Sequence, residues 1–423
     1  MRKKGWLVLG LGGLMLILGL RWASSSQTRE AGAQITLENA RDKLVKELYK
    51  GQLERRALFA APQIRAKGTR IADWRNPAKL SVDDDSWFFF VDEHPGANWE
   101  HPAKYVLVNK ISGAVRSAAA KTPPLEMLEM KGMNPEAVSQ LGIMKKNFEM
   151  AAKVTTLKRV PLARKQKAYA VLVSGGWNAS SNYGRYWKDL SFIYKTLKDK
   201  FGYTDSEIIV LYASGSHSPS GDLDGDGAAD IDDSATKANL TTAMNFVKDN
   251  IPADGKFFFY STNHGGQEVE NTQDAVLYLW GEWIADQEFA ALTKNIRCSE
   301  AIYVMEQCFS GGMMDDILGA QTYPCSNPKV CIMTAANFNE PSWGCDTEGE
   351  YDEYVYHWVS AVNGKTPAGA AVNADSNGDG KVSMKEAHEY AKNNDSRNEH
   401  PTSGSCIGPA CDSVLNRPLL IKR

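Results

Sequence analysis

The first 297 residues contain no cysteine: all seven (Cys298, Cys308, Cys325, Cys331, Cys345, Cys406 and Cys411) fall late in the 423-residue chain. Neither sign of charge dominates, with 48 Lys and Arg against 51 Asp and Glu, so a polyanion finds little to hold and nucleic acid is excluded as the natural partner. No stretch repeats at a fixed period and no long low-complexity tract occurs, which excludes a solenoid architecture. Long apolar runs are missing too, except for one. Trp6 to Leu20 is uncharged, follows Arg2-Lys3-Lys4, and gives way after Arg21-Trp22 to Ala23, Ser24, Ser25 and Ser26. That is the order of an export signal, and the run is short for a spanning helix. No cysteine lies at its end, which argues against a lipid anchor there. The expectation is a signal peptide or anchor over residues 1–26. The protein is then secreted, periplasmic or at the cell surface, touching a membrane only if that segment stays uncleaved.

Cysteine parity agrees with an oxidising compartment. Six of the seven could form three bridges and leave one thiol. The spacing allows Cys325–Cys331 and Cys406–Cys411 as small loops, with Cys298–Cys345 as the remainder and Cys308 unpaired.

Along the chain, Ile35 to Tyr49 has helical apolar spacing with Thr36 and Asn39 as candidate caps. Trp87 to Val91 and Tyr105 to Asn109 read as strands, and the Met- and Lys-rich stretch from Leu125 to Val154 reads as helix. Together these predict a smaller α+β N-terminal domain over residues 27–166, a candidate removable propeptide or a permanent binding module. It ends in an exposed basic linker, Val154 to Gln166, open to nicking.

From Ala168 the pattern alternates. Strands are predicted at Ala168–Val173, Glu207–Tyr212, Lys256–Thr262, Ala301–Met305 and Val330–Thr334, with amphipathic helices between. Continuous apolar strands separated by helices predict an α/β fold with a mostly parallel sheet covered on both faces, over residues 167–423.

In such a sheet the carboxyl ends of the strands share one rim. The third strand runs into Asn263-His264-Gly265-Gly266 and the fourth into Glu306-Gln307-Cys308, so His264 and Cys308 are brought to the same edge. An imidazole there can take the thiol's proton, and the amides of Gly265 and Cys308 can hold an oxyanion. The chemistry predicted is acyl transfer through a thioester, ending in hydrolysis with water or in ligation with an amine. A binding module on an inactive version of the fold is the third reading.

Strand-then-NHGG and strand-then-EQCFSGG resemble the His-Gly and Cys blocks of the caspase-like cysteine peptidases, and the legumain family fits best. Val171 to Arg185 (VLVSGGWNASSNYGR) and Val330 to Trp343 (VCIMTAANFNEPSW) resemble two more blocks of that family, in the same order. The resemblance implies a caspase-like fold and an endopeptidase made as a precursor and acting on proteins or peptides. It implies His264 as base, Cys308 as nucleophile and Gly265 as oxyanion donor. It further implies Asn182 as the residue orienting the histidine and Arg185 as a wall of the pocket for the side chain before the scissile bond. The chain departs from legumain at Asn263, Phe309 and His357. Two preferences therefore stay open: Asn, or a basic side chain read by Asp346, Glu348, Glu350, Asp352 or Glu353.

Two acidic loops predict bound Ca²⁺, since oxygen donors at alternate positions around a glycine make the cage that ion takes. In residues 222–233 the donors are Asp222, Asp224, Asp226, the carbonyl of Ala228, Asp230 and Asp233. In residues 375–386 they are Asp375, Asn377, Asp379, the carbonyl of Lys381, Ser383 and Glu386, which fits the EF-hand loop more fully. The first loop follows the second strand, so it is expected on the rim of His264 and Cys308, where Ca²⁺ would order the cleft.

Overall fold

The computed structural model describes residues 33–76, 78–151, 161–217, 220–270, 272–294, 296–319, 329–345, 350–405 and 411. The signal segment, most of the basic linker, Cys325, Cys406, Asp346 and Glu348 lie outside the described residues. Among those described, no helix is long and apolar enough to cross a membrane.

All five predicted strands of the C-terminal part form. The sheet runs Thr402–Ser405, Lys329–Thr334, Glu300–Met305, Lys256–Ser261, Ala168–Ser174, Ile208–Tyr212. Every pair is parallel except the Thr402–Ser405 edge strand, which sequence reading missed. Alternate side chains of these strands feed two cores, so both faces are covered by helices, as continuous apolar strands require. This is the mixed α/β arrangement expected, a mostly parallel sheet covered on both faces. The register pairs Ser261 with Met305, so the loops after them, bearing His264 and Cys308, leave the sheet side by side.

The N-terminal part builds a five-stranded antiparallel sheet. In order its strands are Val115–Ala120, Ala103–Asn109, Ser86–Asp92, Ala57–Ala60 and Lys131–Gly132. The predicted helix forms as Leu37–Tyr49, with the Thr36 hydroxyl accepting from the Asn39 amide at 3.1 Å. The predicted Leu125 to Val154 helix is shorter, Pro135–Ala151: Pro124 precedes a single 3-10 turn, and Lys131–Gly132 pairs with Ala57–Ala60 instead.

The cysteine pairing is corrected. Cys331 is bridged to Cys411, 80 positions away, and among the described residues no bridge joins Cys298 to Cys345. The edge strand Thr402–Ser405 lies against Lys329–Thr334 and returns the chain end to Cys331, which no sequence spacing reveals.

Candidate active site

Cys308 and His264 are both wholly buried. What buries them is the loop between strands Ser86–Asp92 and Ala103–Asn109 of the N-terminal sheet. Gly96 to Asn98 lies antiparallel to Ser342 to Gly344: the Gly344 amide donates to Gly96 O at 3.0 Å and the Asn98 amide to Ser342 O at 2.9 Å. An added strand along a sheet-like edge is one way an extended peptide is held. The Cys308 thiol donates to Asn98 O at 3.0 Å, and the next amide, Trp99 N–H, donates to His264 Nδ1 at 2.9 Å. The Asn98–Trp99 peptide bond therefore lies between the two.

Beside Cys308, the Asn98 side chain fills a polar pocket. Its Oδ1 accepts from the Tyr186 hydroxyl at 2.5 Å and from the Arg185 guanidinium. Its Nδ2 donates to Ser342 Oγ at 3.1 Å and to Asp352 Oδ1 at 3.3 Å. Arg185 pairs with Asp352 at 2.6 Å and lies over the rings of Tyr183 and Tyr186. Two donors aimed at one oxygen and two acceptors at one nitrogen suit a carboxamide, which carries both on one carbon. A longer cationic side chain would meet the Arg185 guanidinium in this pocket. Beneath it, Thr262 Oγ1 donates to Asp189 Oδ2 at 2.7 Å and sits 3.1 Å from Asp352 Oδ2. Burial pushes Asp189 and the neighbouring Glu306 well above the ordinary carboxylate range, with repulsion from Asp352 adding to it, and raises Asp352 against the pull of Arg185.

His264 Nε2 donates to the Ser181 carbonyl at 2.7 Å, which leaves the Nδ1 lone pair facing the cleft. Asn182 does not orient it as expected; its Nδ2 donates to the Tyr212 hydroxyl at 2.8 Å, so the backbone one residue earlier does that work. Burial pushes the imidazole well down and the Cys308 thiol well up, so both are neutral with the loop in place. Gly265 is required by space: a Cβ there would sit 2.2 Å from the Cys308 carbonyl oxygen. Its amide donates to Trp99 O at 2.9 Å. Phe309 takes up a left-handed conformation, φ 59°, and packs into the apolar core rather than the pocket. Phe309, one of the three departures from the legumain pattern, thus leaves the pocket wall untouched.

Asn98, Ser181 and Tyr186 were not foreseen as site residues. Asn98 sits in an ordinary-looking strand connection, and only the docking of two sheets brings it to the cysteine.

Residues 234–395 match the peptidase C13 family. The match includes His264 and Cys308, spans fewer than half of the residues, and indicates a cysteine peptidase, a hydrolase of the legumain kind. No curated protein matches. A crystal structure of a protein from Geobacter sulfurreducens is similar at 13% identity over 60% of this chain and 98% of that one, with a TM-score of 0.39.

The first acidic loop is not on the cleft rim. It folds back along the Gly184–Asp199 helix, where Tyr194 donates to Asp230 at 2.8 Å, and meets Asp205 just before strand Ile208–Tyr212. It therefore approaches the amino end of that strand, away from His264. Carboxylate oxygens of Asp222, Asp224 and Asp230 lie within 4.8 Å of one another, as do those of Asp205, Asp224 and Asp226. The all-oxygen trio of the first set fits a hard cation such as Ca²⁺. Asp224 belongs to both sets, and the Lys198 ammonium bridges it to Asp205. Asp233 accepts instead from the Ser234 amide at 2.7 Å and joins neither set. In the second loop Glu386 caps the Met384–Asn394 helix and accepts from Ser376 and Asn377, while Asp375 accepts from Gly378, Asp379 and Gly380. Among the described residues no comparable set of acids comes from that loop, although it fitted the sequence pattern more fully.

Proposed function

We propose that the protein is a cysteine endopeptidase that cuts peptide bonds after asparagine. Asn98 carries the reading: its side chain meets two donors and two acceptors of the pocket while its carbonyl meets the thiol and the following amide meets His264. In the reaction, His264 Nδ1 takes the Cys308 proton, and sulfur attacks the carbonyl carbon before the scissile bond. The Gly265 amide steadies the oxyanion. The imidazolium then returns its proton to the departing amine, leaving a thioester that water opens. An amine in place of water would give ligation at the same site.

The protein is further proposed to be exported and made as a precursor. The reading is supported by the charged, apolar and small-residue order of the N-terminal segment and by the Cys331–Cys411 bridge. Ca²⁺ is proposed at Asp222, Asp224 and Asp230, where it would bind oxygen ligands and brace the first loop against the Gly184–Asp199 helix. The donors of residues 375–386 remain a second proposed site.

The test is a panel of reporter peptides differing only before the scissile bond, offered to the processed protein with Cys308→Ala as blank and products read by mass. Asn should exceed Gln, Lys and Arg by at least tenfold. Preference for a basic residue, or equal turnover by Cys308→Ala, would overturn the reading. Added amine appearing in the product would make the site a ligase.

A further inference from the structure

We infer that the loop of residues 93–102 is an inhibitor built into the chain, occupying the cleft as a substrate does while holding its own Asn98–Trp99 bond uncut. The inference rests on the reading of the site as an asparagine-directed peptidase and adds how that site is silenced.

Three groups must be available for attack, and the loop engages all three. The thiol proton is spent on Asn98 O. The Nδ1 lone pair of His264, which should receive that proton, accepts the Trp99 amide instead. The Gly265 amide, which should face the carbonyl under attack, donates to the next carbonyl, Trp99 O, while Gly265 O accepts from Glu100 N at 2.8 Å. The chain is thus anchored one residue too far along for the oxyanion donor to serve Asn98. The pocket is filled correctly and the machinery is not.

The loop is also held in this shape by its own sheet. Asp92 accepts from the His94 amide at 2.9 Å and from Gln140 Nε2 at 2.9 Å, and lies 2.8 Å from His101 Nε2. His101 Nδ1 lies 3.0 Å from Asn98 O, fixing that carbonyl from the loop side, and its ring stacks on Trp99. Trp99 Nε1 donates to the Tyr183 hydroxyl at 2.8 Å. Glu100 pairs with Arg75 at 2.7 Å, and Arg75 NH1 donates to Gln267 O at 2.8 Å. At its ends, Asp92 pairs with Ala103 in neighbouring strands, so the loop springs from a closed hairpin. A preorganised loop gives up little conformational entropy on docking, the property that makes a tight inhibitor. Because Asn98 and Trp99 bury Cys308 and His264 completely, no external peptide reaches either until the loop leaves.

The test uses the full chain, verified intact by mass, against a reporter peptide with Asn before its labelled bond and against iodoacetamide. Asn98→Ala removes all four pocket contacts and should raise both reporter turnover and the rate of Cys308 alkylation at least tenfold over the intact wild type. Asn98→Asp keeps size and fold but sets a carboxylate against Asp352, and should do the same at neutral pH. If the intact wild type matches both variants in turnover and alkylation, the inhibitor inference falls while the peptidase reading stands. If the variants alkylate faster yet turn over no reporter, the loop does cover the cleft and the peptidase reading fails, taking the inhibitor inference with it.

Discussion

Removing the Cys331–Cys411 bridge gives a prediction that does not depend on any activity. Cys331 lies in strand Lys329–Thr334, whose inner neighbour Glu300–Met305 delivers Cys308. Cys411 lies beyond the Thr402–Ser405 edge strand, and its carbonyl accepts from Lys385 N at 3.0 Å, near the start of the Met384–Asn394 helix. The two cysteines are 80 positions apart, and the segment between them carries the Asp352 side of the pocket, helix Glu353–Asn363 and the second acidic loop. Closing a loop of 80 residues restricts the unfolded chain by about 4.5 kcal/mol in the chain-entropy treatment. For a folding unit of this size, that is a fall in Tm on the order of 10 °C. The assay is thermal unfolding of wild type with and without a reductant, beside Cys331→Ala/Cys411→Ala. The double variant should melt about 10 °C lower and be indifferent to reductant, and reduced wild type should join it. A variant melting within 2 °C of wild type would refute the loop-closure reasoning. The edge strand and helix would then hold the C-terminal part without help.

Arg185→Ala should lower kcat/KM for asparagine peptides by roughly 10- to 150-fold, the worth of a hydrogen bond to a charged group, measured on processed protein. Gly265→Ala should abolish turnover, because its Cβ would lie 2.2 Å from the Cys308 carbonyl oxygen; retained activity would mean that the two loops can part. Stability should rise from pH 8 to pH 5.5. Asp230, Asp286 and Asp395 are pushed up to about 6, and Asp189, Glu306 and Glu399 well up, all chiefly by burial. A raised pKa adds stability that is full below the unfolded value and lost as pH rises through the folded one. His217 and His388, lowered to about 4 by burial, and the depressed His264 oppose this below pH 6.5, but fewer in number. A Tm flat or falling between pH 8 and 5.5 would contradict that balance. Adding Ca²⁺ at a hundred times its Kd should stabilise the fold by about 2.7 kcal/mol, and Asp224→Asn should remove the gain; equal Tm with Ca²⁺ and chelator would exclude the site.

Two features of this chain were local enough to be legible in its sequence. The parallel sheet was one, because strands buried on both faces must be apolar throughout and the helices between them must show one apolar stripe. The Cys308 and His264 pairing was the other, because each follows its strand by a fixed few residues and parallel strands end on one rim. The acidic loops were legible as acid-rich turns, but where their carboxylates point was not. Glu386 spends its oxygens on a helix cap, while Asp230 turns toward Tyr194 from a helix 36 residues earlier.

Tertiary structure alone decided the rest. The Ser181 carbonyl, rather than the Asn182 side chain, holds His264 because of how one turn meets another strand. Cys331 found Cys411 because an edge strand doubled back. Asn98 reached Cys308, 210 positions away, because an antiparallel sheet docks over the rim of a parallel one. Sequence patterns record what a residue does within its own element. Which element then presses against it is set by shape and burial over the whole molecule, and at this site that contact is what fills the pocket.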